Sequence, residues 1–190
     1  GTALKIAESQ KIYNNIFLFN REKKLGLDSA HKEAYQFALD NKYDLLITLD
    51  ADLSHDPNEI ENFITNLQIY PFVIGSRYTK GGKCLMKGSR LVLSKYGNLL
   101  IKFLTRIKCT EFTTSYRGFD LKKLNDFHLN QIKTKGYSFF MGTIVEISKR
   151  NFPIKELPII FKDRYKGKSK IPRLEIFRTL KNLLIISITK

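Results

Sequence analysis

Cysteine is scarce in this chain of 190 residues: there are two, Cys84 and Cys109, far apart and in no CxxC pattern. That excludes a disulfide framework and a cysteine zinc site, and it fits a reducing compartment. No apolar run approaches the roughly 18 residues of a membrane-spanning helix, and no signal peptide opens the chain. Internal repeats and low-complexity linkers are missing too, so a solenoid or a string of modules is not expected. The three histidines, His31, His55 and His128, are scattered, which leaves no histidine-based catalytic dyad in view. Acidic residues are few: 18 Asp and Glu stand against 33 Lys and Arg, for a formal charge of +15. Between Lys149 and Lys190 there are twelve basic residues and three acidic ones. Such a tail suits an anionic partner: nucleic acid, an anionic membrane surface or a phosphorylated substrate. The chain opens on Gly1-Thr2 with no initiator methionine and reads as a piece of a longer protein.

What is present is an alternation of strand-length apolar runs with helical patterns. Residues 2–11 read as a helix and Asn15 to Phe19 as a strand. Asp28 or Ser29 is placed to cap a helix reaching about Leu39. Tyr43 to Leu49 is nearly continuous in apolar residues, the pattern of a strand buried on both faces of a parallel sheet. Asp56-Pro57-Asn58-Glu59 combines an N-cap, a first-position proline and an acid three residues on, and starts a helix to about Gln68. Phe72 to Gly75 is a short strand, and a Gly-rich basic loop runs from Ser76 to Gly88. Ser89 to Ile107 is a long amphipathic helix, a strand begins near Pro153 and closes at Ile159 to Phe161, and Pro172 to Ile188 is helical. In that last helix Leu174, Phe177, Leu180, Leu184 and Ile188 recur at three-to-four spacing. The alternation predicts an α/β fold with a mostly parallel sheet, whose ligand sits beyond the carboxyl ends of the strands.

That rule points to Asp50-Ala51-Asp52-Leu53-Ser54-His55-Asp56, directly after the Tyr43–Leu49 run. Two carboxylates at i and i+2 leave the sheet edge together, and oxygen ligands suit Mg²⁺ or Mn²⁺. Without a metal the same residues make a helix-capping acidic turn. A calcium loop is a near-match, since Asp50, Asp52, Ser54, Asp56 and Glu61 are spaced for one. But His55 stands where the sharp turn needs glycine, Pro57 follows, and a strand precedes. A phosphatase with Asp50 as nucleophile would need a further acidic pair that the sequence does not place. A nucleic-acid module would interleave aromatics with its cations; residues 162–170 offer only Tyr165, so no nucleic acid is expected as partner.

Taken in order, several stretches resemble the dolichyl-phosphate (polyprenyl-phosphate) mannosyltransferase group of family 2 glycosyltransferases. They are Gly1-Thr2 before a helix, Lys24-Leu25-Gly26-Leu27 with Ser29-Ala30, DADLSHDP at Asp50 to Pro57, and GSRYTKGG at Gly75 to Gly82. Then come Ser89-Arg90, Ser94 and Asn98 on one helix, Thr113 to Arg117 (TTSYR), Gly136-Tyr137-Ser138-Phe139, Glu156 to Ile159, and Arg164 to Lys170. The resemblance implies a GT-A-like domain over residues 1–170, with a mixed, mostly parallel sheet flanked by helices and its first strands lacking. Residues 171–190 would be an amphipathic, membrane-associated helix. It implies an inverting transferase that carries a sugar, mannose from GDP-mannose above others, onto a polyprenyl phosphate at the cytoplasmic face of a membrane; a glycan or lipopolysaccharide acceptor is the alternative.

The residue roles follow from the same resemblance. Asp50 and Asp52 engage the metal and the donor diphosphate, with Ser54 a third oxygen ligand directly or through water. Arg77, Arg90 and Ser94 hold the acceptor phosphate; Arg90 and Ser94 lie four apart on one helical face. Arg117 shapes the sugar pocket or pairs with a carboxylate, and Arg164 and Lys170 reach phosphate oxygens from a closing loop. One departure is plain: where the family places a glutamate after Gly-Tyr-x-Phe, this chain has Gly142, and Glu146 follows one helical turn later.

Overall fold

The computed structural model describes the backbone of residues 1–163 and 173–188, and within the last helix the side chains of residues 177–186. Four strands form the main sheet, β1 (Leu45–Thr48), β2 (Phe72–Ser76), β4 (Arg117–Asp120) and β5 (Ile154–Pro158), in the order β1-β4-β2-β5. A two-stranded piece pairs β3 (Lys83–Cys84) with β6 (Ile160–Phe161) in parallel. β5 runs parallel to β2, whereas β4 is antiparallel to both β1 and β2. Three strands of the four therefore point one way, with a reversed strand inserted between β1 and β2. The sequence pattern does not reveal β4, because Arg-Gly-Phe-Asp carries one large apolar residue.

The pleat sends alternate side chains to opposite faces. Phe72 and Ile74 of β2 and Phe119 of β4 join the larger core, with Phe139, Phe140 and Ile144 of helix α5 (Ser138–Lys149) and Tyr35 of α2 (Leu27–Asp40). Val73 of β2 and Leu157 of β5 face the other way, onto Phe63 and Leu67 of α3 (Ile60–Leu67). β2 lies between two paired strands and is buried throughout. β1 differs from expectation: both its faces carry packed leucines and isoleucines, yet it is an edge strand and only half-buried.

Two local expectations are corrected and a third holds. Asn15 to Phe19 is irregular, not a strand; no strand lies beside it among the described residues, and an unpaired strand cannot satisfy its backbone. Helix α2 starts at Leu27, ahead of both expected caps. Asp28 instead accepts from the Gly136 N–H at 3.0 Å, and the Ser29 hydroxyl donates back to the Gly26 carbonyl at 3.1 Å. The Asp56 cap holds: its carboxylate accepts from the Asn58 N–H at 3.0 Å, and a 3-10 turn at Pro57–Glu59 leads into α3.

The long helix α4 (Gly88–Thr105) and the last helix α6 (Arg173–Ile188) pack on each other, and α6 also touches α5. Leu183 of α6 is buried in the larger core, while Phe177, Leu180 and Leu184 of the expected apolar stripe are exposed. Among the described residues no helix is long and apolar enough to cross a membrane. α1 (Thr2–Gln10) lies at the start of the chain and buries no residue.

Candidate functional site

The strand directions decide where the chemistry gathers. Thr48 at the end of β1 and Ile74 near the end of β2 both pair with Arg117 at the start of β4. The acidic turn after β1, Arg77 after β2 and residues 110–117 before β4 thus meet at one sheet edge. There a pocket of about 560 Å³ opens, within the range of ordinary ligand sites. Asp50, Asp52, Arg77, Arg90 and Ser94 all border it. Its remaining wall is largely apolar, including Met86, Leu100, Phe140 and Leu183.

The acidic turn is braced from inside. The Asp50 N–H donates to His55 Nδ1 at 3.1 Å, and Ser115 Oγ donates to Asp50 Oδ1 at 2.7 Å. Because Nδ1 accepts, the neutral ring carries its proton on Nε2, 3.3 Å from Thr114 Oγ1. Burial pushes the His55 pKa down, and the Arg77 charge adds to this against the pull of Asp50 and Asp52. Ser54 is buried under Asp52, and both its N–H and its hydroxyl donate to Asp52 Oδ1. Leu53 sits at φ 64°, a left-handed conformation that costs a bulky residue about 1–2 kcal/mol. His55, missed as functional in the sequence, is the internal brace that holds this turn together.

Arg77 is not a free cation. Its Nε and Nη2 donate to Glu111 Oε2 and Oε1 at 2.7 and 2.8 Å, and Nη2 also donates to Thr113 Oγ1 at 2.8 Å. The guanidinium lies against the rings of Tyr78 and Phe161. Glu111 is wholly buried. Burial alone would raise its carboxyl pKa, but the Arg77 charge, its hydrogen bonds and those from Thr113 reverse this and hold it below the ordinary value. In sequence Glu111 stands out only as an acid inside the small polar run before Arg117.

Arg90 behaves differently. It pairs with Asp163 at 3.2 Å with both side chains about half exposed, so the bond is weak and easily exchanged. Ser94 accepts from the Tyr78 hydroxyl at 2.7 Å. Asn98 accepts from the Phe112 N–H at 2.7 Å and donates to the Ser94 carbonyl, pinning α4 to the segment before β4.

Arg117 lies beneath the pocket rather than in its wall, 4.7 Å from the Phe140 ring. Its Nε and Nη2 donate to the carbonyls of Thr114 and Phe112, so it shapes the loop that carries Ser115 and Thr114. Burial pulls its pKa down to about 9. Arg164 and Lys170 fall outside the described residues. Glu146, one turn beyond Gly142, does not border the pocket and pairs with Arg150 at 3.0 Å. A Cβ at Gly142 would stand 2.2 Å from Thr134 Oγ1, so this packing has no room for a glutamate.

A pH dependence follows from His31, half-buried against Phe139 and Phe140. Burial first, then the Arg117 charge, lowers its pKa from 6.5 to about 4. The unfolded chain therefore takes up this proton first. The stability that a neutral His31 contributes is present above about pH 6.5 and lost as pH falls toward 4, by at most about 3 kcal/mol. Urea unfolding at pH 7 and pH 4.5 is expected to show that loss, and His31→Gln to remove most of the difference.

Comparison with known proteins bears on the same residues. The profile described as "Glycosyl transferase family 2" matches residues 1–127. The chain belongs to that family. Among curated relatives, the undecaprenyl-phosphate mannosyltransferase of Micrococcus luteus is 30% identical over 158 residues, 83% of this chain and 65% of that protein. The polyprenol monophosphomannose synthase of Mycolicibacterium smegmatis is 31% identical over 160 residues, 83% of this chain and 60% of that one. This family 2 chain therefore spans 60–65% of the length of these relatives. Among solved structures, glucosyl-3-phosphoglycerate synthase from Mycobacterium tuberculosis, in complex with uridine diphosphate, superposes with a TM-score of 0.61. It covers 96% of this chain and 63% of that one at 13% identity, and it supports the GT-A-like fold.

Proposed function

We propose that the protein is an inverting glycosyltransferase that moves mannose from GDP-mannose onto a polyprenyl phosphate at the cytoplasmic surface of a membrane. The observation that carries this is the shared pocket: two carboxylates and an exchangeable guanidinium border one cavity whose other walls are apolar. The names of the two curated relatives support the lipid acceptor.

The acceptor phosphate is its own nucleophile. Its second pKa is near 6 by analogy with phosphorylated side chains, so it is largely dianionic at pH 7. An oxygen of that phosphate attacks the anomeric carbon as the bond to the nucleoside diphosphate breaks, and one displacement inverts the configuration. No base is required, and among the described residues the pocket offers no good one besides the two aspartates: His55 is buried with Nδ1 already accepting, and Glu111 is locked to Arg77. A glycan hydroxyl would need such a base, which favours the phosphate acceptor. What the chain must do is bring two anions together.

Arg90 gives up Asp163 for the acceptor phosphate, Ser94 adds a hydroxyl, and Arg77 with Glu111 forms a fixed, charge-balanced wall beside them. Asp50 and Asp52 suit Mg²⁺ or Mn²⁺. Among the described residues no cluster of three or more His, Cys, Asp or Glu side chains offers a metal cage, but Mg²⁺ is commonly held by one or two carboxylates plus substrate phosphates. Such an ion, when bound, neutralises the departing diphosphate. Ser54 contributes behind Asp52, by orienting it. Arg164 and Lys170 are proposed to reach the same phosphates.

The test is kinetic. In the full protein Arg90→Ala is expected to raise KM for the polyprenyl phosphate by about tenfold or more, with KM for the sugar nucleotide changed less than twofold. Equal effects on both substrates would remove Arg90 from the acceptor site. Chelation by EDTA is expected to stop transfer and added Mn²⁺ to restore it; transfer indifferent to both would refute the metal.

A further inference from the structure

A serine or threonine inside a helix can turn its hydroxyl back and donate to the carbonyl one turn earlier. This chain does so at Ser9, Thr65, Thr105 and Thr143, each donating to the carbonyl four residues before it at 2.7–3.1 Å. Ser94 on α4 does not. Among the described residues its side chain has one partner, the Tyr78 hydroxyl, which donates to Ser94 Oγ at 2.7 Å. A phenol is a stronger acid than an aliphatic alcohol and the better donor of the two. A serine hydroxyl carries one proton and two lone pairs. Tyr78 takes up a lone pair, and the proton is left for what enters the pocket that Ser94 borders.

Tyr78 is placed firmly for this. It stands outside the pocket wall, with its ring centre 5.2 Å from the Arg77 guanidinium. Burial pushes its pKa up to about 12, so the phenol stays a donor well above neutral pH. The turn that carries it is fastened from behind. Thr110 donates its N–H to Glu156 at 3.0 Å and its hydroxyl at 2.6 Å. The Thr110 hydroxyl proton is spent there, so the 2.9 Å contact between the Ser76 and Thr110 hydroxyls runs from Ser76 to Thr110. Ser76 Oγ in turn accepts from the N–H groups of Tyr78 and Thr79, at 3.3 and 3.0 Å. Every donor in this chain points the same way, from the turn through Ser76 and Thr110 to Glu156 on β5.

We propose that Tyr78 is a positioning residue for the acceptor phosphate: its phenol holds the Ser94 hydroxyl with the serine proton turned into the pocket, where a phosphate oxygen accepts it. This rests on the polyprenyl-phosphate reading and deepens it. A phosphate dianion offers acceptor oxygens only, so a serine is useful to it as a donor and useless as an acceptor. Without the phenol, the Ser94 hydroxyl is free to swing back onto the Arg90 carbonyl, four residues earlier, and its proton is lost to the pocket.

The experiment is a double-mutant cycle read by calorimetric titration of the full protein with farnesyl phosphate, a short polyprenyl phosphate. Tyr78→Phe removes the hydroxyl and keeps the ring against Arg77; Ser94→Ala removes its partner. Each single variant is expected to raise Kd by about threefold to tenfold. The double variant is expected to bind within about twofold of Ser94→Ala alone, because the phenol acts only through that serine. KM for the sugar nucleotide is expected to change by less than about twofold in Tyr78→Phe. A general loosening of the turn would instead raise that KM and add to the Ser94→Ala loss. Additive losses, or an unchanged affinity in either single variant, overturn the positioning role. The same data separate it from the reading it rests on. Coupled losses in a protein that transfers no sugar to farnesyl phosphate leave Tyr78 its role and refute the acceptor reading. Transfer with additive losses does the reverse, and no binding of farnesyl phosphate overturns both.

Discussion

Asp52→Asn is expected to lower sugar transfer by a factor on the order of 10²–10³, the loss typical when one charge-stabilising group is removed from a preorganised site. Asparagine keeps the size of the side chain and an oxygen that can accept from the Ser54 N–H and hydroxyl, so the turn keeps its shape. The change removes charge alone. The matching Ser54→Ala leaves the carboxylate and removes one of its two tethers, and it is expected to cost far less. Initial rates of transfer, with and without Mn²⁺, check both variants. If Asp52→Asn retains more than a tenth of the activity, the carboxylate is not at the centre of the reaction.

The second large effect lies in the buried ion pair. Glu111→Ala leaves the Arg77 guanidinium almost wholly buried beside an empty space, and is expected to destabilise the fold by about 3–5 kcal/mol. The rings of Tyr78 and Phe161 lie against Arg77 and leave its guanidinium little contact with water. Arg77→Met combined with Glu111→Leu removes both charges, and most of the stability is expected to return in urea unfolding. Activity is not expected to return with it, because Arg77 borders the pocket and Thr113 loses its partner. If activity recovers together with stability, the pair is scaffolding and Arg77 has no role in binding.

Much of this arrangement is written in local pattern, and the rest fails to show for identifiable reasons. The Asp56 cap, the run around Leu45 and the helix that carries Arg90 are local signals, dictated by a few neighbouring residues, and each appears close to its expected place. Asp50, Asp52, Arg77, Arg90 and Ser94 share a cavity because the carboxyl-end rule for strands names one edge. β4 escapes because its four residues are defined by partners on both sides and not by their own periodicity. Glu111 escapes because its meaning is Arg77, 34 residues away. His55 escapes because a buried histidine reads no differently in sequence from an exposed one. The outward face of α4 was legible as amphipathic, but only the structure shows that its apolar side points away from the protein.

The inserted strand also has a consequence in time. Asp50 finds its hydroxyl partner in Ser115, 65 residues later in the chain. At about 5–20 residues per second of synthesis, the acidic turn exists for several seconds as a loose pair of negative charges before the segment that fastens it has left the ribosome. β2 has to wait longer still for β5, its parallel neighbour. A nascent chain stopped before Phe161 would still lack β6 and the pocket wall that Phe161 supplies, so competence for any ligand of this pocket is expected to arise abruptly, near the end of translation of this region.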